Sequence, residues 1–530
     1  MQSERDTMRF PADTSPFWIR THAERRFPAQ LGDVAVDVAI VGGGITGISA
    51  AALLKRAGKR VCVLEANRVA QGETGHTTAH LTEALDTRYH TLAQKFGKDG
   101  ARIVAESSRA AIAQIESWSH AMGISSFTRL PGYLYAESAD DARELEKECD
   151  AARDAGCAVS VTRDVPGLPF PVHAALRFEN QAQFHVRDYV LPLAESIAGQ
   201  GSHVFEETRV VDVHDGGPCK VLTDRGVVTA DHVLVCANAP LSRVLLQTKV
   251  AHYRSYALGA RLEGPVPFGL FWDTADPYHY MRAAKDGAGD VLIVGGEDHR
   301  TGQDDDTRER YAALAEWTEK HFRVRSFAYA WSGQIVEPVD GLPYIGRAPA
   351  SDEVLVATGF SGNGMTFGTV AALMFFDMVL GRESPWAELY RATRVTPLAS
   401  AVDYVRENVD FPLHFIGDRM RRAEVRSLDE VAAGEGKLVR LGKKRVAAFR
   451  DAHGALSVCS AVCPHLGCLV DFNAAEQTWD CPCHGSRFAT NGRLINGPAT
   501  QDLARVDHAP APAPALAPTP SPSPLSERSR

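Results

Sequence analysis

The sequence predicts an α/β domain of Rossmann type with interleaved α+β text, followed by a small C-terminal all-β domain. Three observations predict it. First, ValAspValAlaIleVal at 36–41 runs into GlyGlyGlyIleThrGly and then into the helix-forming IleSerAlaAlaAlaLeuLeuLysArg, a strand, a tight turn and a helix. Second, between about 85 and 335, helical text such as AspAspAlaArgGluLeuGluLysGluCysAspAlaAlaArg is mixed with strand text such as AspValLeuIleValGlyGly. Third, short β-branched runs separated by turn residues begin near Arg421 and surround two Cys/His boxes.

In chain order, residues 1–32 form an N-terminal extension without an apolar core of signal-peptide length. Gly42, Gly44 and Gly47 then make GxGxxG: the first permits the turn, the second lets backbone approach a pyrophosphate, and the third lets helix and strand pack. A structural glycine turn is the alternative. Against it, ArgValCysValLeu at 60–64 reads as the next strand and ends on Glu65, eighteen residues after Gly47, where an acid can bind ribose hydroxyls. The fingerprint is that of a dinucleotide site.

GlnGlyGluThrGlyHisThrThrAlaHisLeuThr at 71–82, ThrArgValValAspVal near 208, ValLeuValCysAlaAsnAla at 233–239, ProValAspGlyLeuProTyrIleGly at 338–346 and ValAlaThrGlyPheSerGlyAsnGlyMetThrPheGly at 356–368 extend the pattern. Together these stretches resemble the D-amino-acid oxidase-like flavoproteins, among them glycine oxidase and the sarcosine dehydrogenases, over about 33–385. The resemblance implies FAD rather than NAD. It assigns cofactor contacts to Gly42, Gly44, Thr46, Gly47, Glu65, Thr77, Thr78, Val210, Gly362, Gly364 and Met365. It makes the interleaved regions, about 85–190 and 245–335, a substrate subdomain. Some relatives attach FAD through a His in the loop after the acid. Here Thr77 stands at that position and His76 one residue away, so non-covalent FAD is expected.

Flavin enzymes reduced by a nicotinamide usually carry a second GxGxxG, and LeuIleValGlyGlyGlu at 292–297 lacks its spacing. A small organic donor is therefore expected. In the amino-acid oxidases an Arg following a Tyr, upstream of a Gly-turn hairpin, clamps the substrate carboxylate. TyrHisTyrMetArg at 278–282 holds that place, which makes Arg282 the candidate clamp by bidentate pairing and Tyr280 a candidate site residue. A surface or supporting Arg is the equal alternative. His76 and His80 are four apart, but no third ligand accompanies them.

TrpAlaGluLeuTyrArgAlaThrArg and AlaValAspTyrValArgGluAsnVal read as a connector over 386–420. From 421 to 508, LysLeuValArgLeu, ArgValAlaAlaPheArg and AlaLeuSerValCys are short strands, with AspAlaHisGly at 451–454 as the turn between the last two. Within this unit Cys463 and His465 lie two apart, and Cys481 and His484 three apart, so two loops each offer a thiolate and an imidazole. Two sulfurs and two nitrogens, with His replacing Cys on one iron, are what a Rieske 2Fe-2S centre needs. Tetrahedral zinc would accept the same donors, although zinc-finger spacings differ. The stretch resembles the Rieske family. That resemblance implies a Cys468–Cys483 disulfide and a hydrogen bond from Ser486 to a cluster sulfur; Phe488 stands where the family has a Tyr donor, which should lower the potential. Cys459 reads as a small buried residue. The Pro-rich end, 509–530, reads as a disordered tail.

Net charge of −9 without a basic stripe excludes a general nucleic-acid binder, and the longest apolar run, ValAlaAlaLeuMetPhePhe at 370–376, is too short to span a bilayer. A cytoplasmic protein is expected. Five of the ten cysteines lie singly before 240 and read as reduced core residues. No mononuclear-iron domain follows the cluster, which excludes a ring-hydroxylating oxygenase. The combined reading is an FAD-dependent dehydrogenase that oxidises a small amine or amino acid to an imine and passes electrons through the Rieske cluster to an external acceptor. Two alternatives stay open: an oxidase using oxygen with an accessory cluster, and a redox-sensing or electron-transfer module with no substrate of its own.

Overall fold

The computed structural model describes residues 10–11, 14–239, 244–303, 306–395, 425–442 and 444–507. The expected tail and most of the expected connector lie outside the described residues. The nucleotide-fold sheet runs, in spatial order, Tyr344–Arg347, Val354–Thr358, Gly226–Val235, Val34–Val41, Val61–Leu64 and His203–Phe205. Val34–Val41 pairs parallel with both neighbours, Ile40 facing Val63 on one side and Leu234 on the other. Its apolar run reflects burial on both faces: Val38 and Ile40 enter one core, Ala39 and Val41 the other.

The crossover after the first strand is the helix Ile45–Arg56, whose buried small residues let it pack closely on the helix Gly364–Val379. Against its own turn the helix is tightest at Gly47, where a Cβ would lie 2.1 Å from the Gly42 carbonyl oxygen. Any side chain there would force helix and turn apart.

A second, largely antiparallel sheet runs Val324–Pro338, Val250–Leu262, Gly289–Arg300, His279–Asp286, Leu270–Asp273, Thr128–Ala136, Ala174–Gln183 and His80–Leu81. The helices Ala139–Asp154 and Arg308–His321 flank it, and Tyr89–Ala121 packs on Ala139–Asp154 and on Gly364–Val379. Of the expected connector, the helix Ala387–Tyr390 and Arg394 pack back on the first unit; Arg394 is ion-paired with buried Asp340 at 2.7 Å. The C-terminal unit consists of two small antiparallel sheets. One holds Gly436–Leu441, Lys444–Arg450 and Leu456–Ser460; the other holds Asp471–Asn473, Thr478–Asp480, Arg487–Ala489 and Leu494–Asn496. The strands expected near 437–459 are present, and Cys459 is buried. Among the described residues, no helix is long and apolar enough to cross a membrane.

Candidate functional site

A cleft opens where the parallel strands end, lined there by Val41, Leu64 and Cys236. Ligands of open α/β sheets bind at this edge. Gly42, Gly44 and Thr46 form its floor, and the N-terminus of Ile45–Arg56 opens into it, so backbone N–H groups and the helix dipole favour a phosphate there. Neighbouring side chains fix the turn. Thr74 Oγ1 accepts from Ile45 N at 3.0 Å, and Glu65 accepts from Gly43 N and Asn67 N, each at 2.8 Å. Burial raises the Glu65 carboxyl above its ordinary value.

Val210 and Arg209 line one end of the cleft, Thr77 and Thr78 the middle, and Gly362, Gly364 and Met365 the far end. All the sequence-predicted cofactor residues except Gly47 face one cavity, and Gly47 packs beneath it. At the far end the helix Gly364–Val379 presents its N-terminus, and Gly362 N donates to Asp86 Oδ2 at 2.7 Å. An elongated cleft with a helix N-terminus at the glycine turn and another at the opposite end fits FAD. His76 lines the cleft beside Thr77, its Nδ1 2.9 Å from the Gly72 carbonyl.

Aromatic side chains line the region in front of Met365: Trp272, Tyr278, Tyr280 and Phe360, together with His80. Strand alternation sends Tyr278 and Tyr280 into the cleft and turns His279 away, where it pairs with Asp273 at 2.8 Å. The Tyr280 hydroxyl lies 2.8 Å from that of Ser255, and the Asp298 carboxyl lies beside Ser255 and Tyr278. Burial pushes the Asp298 carboxyl up to about 7. Burial likewise lowers His80 to about 3, which keeps its ring neutral.

Arg282 takes the supporting place, the alternative that the sequence left equally open. Only 3% exposed, it donates to the carbonyls of Ala79 at 2.7 Å and Phe184 at 3.2 Å, with its guanidinium 5.1 Å above the Trp18 ring. Burial lowers it to about 9. The guanidinium is held by backbone and does not line the cleft, so the expected carboxylate clamp is not presented there.

In the C-terminal unit the two Cys/His boxes form matching turns. Cys463 N donates to Cys468 O and Cys481 N to Ser486 O, both at 2.8 Å. The Cys463 and Cys481 thiols lie beside each other, with the Ser486 hydroxyl next to Cys463. The His465 and His484 rings meet edge to face with centroids 5.0 Å apart. Cys468 and Cys483 are joined by a disulfide, so among the neighbouring sulfurs of Cys468, Cys481 and Cys483 only that of Cys481 is left for an iron. Burial favours the neutral imidazoles, the form that ligates metal. Two sulfurs and two nitrogens therefore converge from two loops, and the donor set fits a 2Fe-2S cluster. Phe488 is buried in the core against Trp479, its partner across the strands.

Residues that no local motif announced hold the two units together. Glu476 takes Arg254 Nη2 at 2.6 Å from the second sheet, accepts from the Ser332 hydroxyl, and also pairs with Arg487 of its own unit. Burial opposes its ionisation, yet the two guanidiniums hold Glu476 down at about 2. Beside this pair, Gln334 Nε2 donates to Gly485 O at 2.7 Å. Gly485 has φ +69°, and a Cβ there would lie 2.5 Å from the His252 Cβ, so only glycine brings the His484 loop this close. Glu73 accepts from Gln334 N at 2.5 Å and from Asn496 Nδ2 at 2.7 Å.

The sequence pattern described as FAD dependent oxidoreductase (DAO) matches residues 37–378, and that described as Rieske [2Fe-2S] domain matches 421–507. A Rieske 2Fe-2S iron-sulfur protein, YhfW, of Bacillus subtilis (strain 168) is 32% identical over 93% of this chain and 97% of its own length. Gamma-glutamylputrescine oxidoreductase of Escherichia coli (strain K12) is 25% identical over 66% of this chain and 84% of its own. The crystal structure of glycine oxidase from Geobacillus kaustophilus superposes with a TM-score of 0.58 at 20% identity, covering 68% of this chain and 99% of that one. The last likeness concerns the fold.

Proposed function

We propose, from the premise that this chain belongs to the FAD dependent oxidoreductase family and carries a C-terminal Rieske [2Fe-2S] domain, that it oxidises a small amine and passes the electrons through the cluster to an external acceptor. When bound, FAD takes a hydride from a carbon bearing nitrogen and the cluster carries one electron at a time. The side chains of this protein do the rest. Trp272, Tyr278, Tyr280 and Phe360 give the substrate end an aromatic lining against which an apolar stem can pack. Asp298, a carboxyl beside Ser255 and Tyr278 at this end, can receive the ammonium proton that must leave before an amine is oxidised.

One observation carries the relay: Gln334 lines the cleft and at the same time donates to the carbonyl of Gly485, the residue after cluster ligand His484. A single side chain thus touches both cofactor sites. An amine suits the substrate end better than an amino acid, because Arg282 is engaged by backbone carbonyls while Asp86 and the Tyr278 ring face the cleft. Gamma-glutamylputrescine oxidoreductase, among the relatives, is named for an amine.

Anaerobic mixing with a panel of amines and amino acids tests the reading, with flavin bleaching and the cluster spectrum followed together. Bleaching by an amine followed by cluster reduction is expected. Bleaching with a cluster that stays oxidised would reject the relay and favour an oxidase.

A further inference from the structure

The nucleotide cleft is completed by residues from the other end of the chain. Ile495, Asn496, Gly497, Ala499 and Thr500 line it together with the glycine turn and Glu65, although they belong to the last strand of the Rieske unit and the loop that follows. Three polar contacts fix this segment on the rim. Asn496 Nδ2 donates to Glu73 Oε1 at 2.7 Å, Arg493 Nη1 to Asn67 Oδ1 at 3.2 Å, and Arg209 Nη2 to Leu494 O at 3.3 Å. Asn67, Glu73 and Arg209 all line the cleft themselves. At its other end the segment meets the cluster loops, where Ala499 N donates to Ser486 Oγ at 3.0 Å.

We propose that Leu494–Thr500 of the Rieske domain is a wall of the FAD-binding site, so that FAD enters and leaves only when this segment lifts from the Asn67–Glu73 rim. The cleft of an open α/β sheet is bounded by its own loops on one side and exposed on the other. Here a second domain supplies the missing side. A dinucleotide held between two domains cannot dissociate without breaking the contacts between them, so those contacts add to its retention. The inference rests on FAD occupying the cleft, and it is independent of the electron relay: a cluster that never becomes reduced would leave it standing.

The test follows FAD release from the holoprotein, read as the growth of free-flavin fluorescence on dilution, with the cluster signal recorded by electron paramagnetic resonance in the same samples. Asn496→Ala removes the donor to Glu73, and Asn496→Asp places a like charge against it. Release about tenfold faster in Asn496→Ala, the loss of one hydrogen bond to a charged acceptor, is expected, with a larger effect in Asn496→Asp. Arg493→Ala should act in the same direction through Asn67. His453→Ala, in the turn Asp451–Gly454, should release FAD like the wild type. Wild-type release in both Asn496 variants with the cluster signal intact would overturn the proposal, as would equally fast release from His453→Ala.

Discussion

Arg254 and Glu476 meet at 2.6 Å across the boundary between the oxidoreductase and Rieske units, and the guanidinium is 1% exposed. Glu476→Gln leaves two guanidiniums facing a neutral amide, and removing one partner of a buried pair costs about 3–5 kcal/mol. Urea unfolding should show this loss together with separation of a single transition into two. A midpoint equal to that of the wild type would mean that the pair does not hold the units together.

The same carboxylate sets an acid limit. Its pKa in the fold is held down at about 2, below that of an unfolded Glu. The stabilisation is therefore present above the unfolded pKa and is lost as pH falls through that value toward 2. Stability measured from pH 6 down to 3 should fall more steeply for the wild type than for Glu476→Gln. Parallel curves would contradict the assignment.

Asp298, raised to about 7 by burial, must be ionised to receive a proton. The rate of flavin reduction by an amine should rise with pH through about 7 and level off above it. In Asp298→Asn that limb should vanish and the rate fall about a hundredfold, the usual scale of a lost general base. Persistence of the limb in the variant would place the titrating group elsewhere.

Gln334→Leu keeps the bulk of the side chain but leaves the Gly485 carbonyl without its donor, at a cost of about 1–3 kcal/mol. Rapid-mixing spectra should show flavin reduction at the wild-type rate and slower cluster reduction. Unchanged transfer would show that electrons take another path, such as that from Ala499 to Ser486.

Phe488→Tyr tests the tuning of the cluster. One regained hydrogen bond to a sulfur is worth about 1 kcal/mol, or roughly 40 mV for a one-electron couple. A potential titration should move upward by that order. No movement would mean that the hydroxyl at this buried position is not directed at the cluster.

The glycine turn, the Glu65 strand end and the two Cys/His boxes were legible in the sequence because each is a local pattern whose spacing carries its chemistry. Val210 and Met365, far apart in sequence, were placed by resemblance, and both line the cleft. Arg282 was only half legible: the sequence left clamp and supporting residue equally open. Its place on a strand facing the cleft is local information, but its capture by the Ala79 and Phe184 carbonyls depends on segments far away in the chain. Glu73, Gln334 and Glu476 were missed for the same reason: an isolated Glu or Gln carries no spacing, and its role exists only once two units meet. The one available signal was the position of Glu73 inside the 71–82 stretch, where small residues otherwise prevail.

The burial of Arg254 bears on how such a gene could be cut. A stop codon in the connector would yield an oxidoreductase half with a guanidinium stripped of its carboxylate partner and a nucleotide groove open along one flank. The Rieske half alone would in turn present Glu476 and the Arg487 head to water. Dividing the reading frame would therefore leave the oxidoreductase half with an unpaired buried cation and an open nucleotide groove, a cost that a single reading frame avoids.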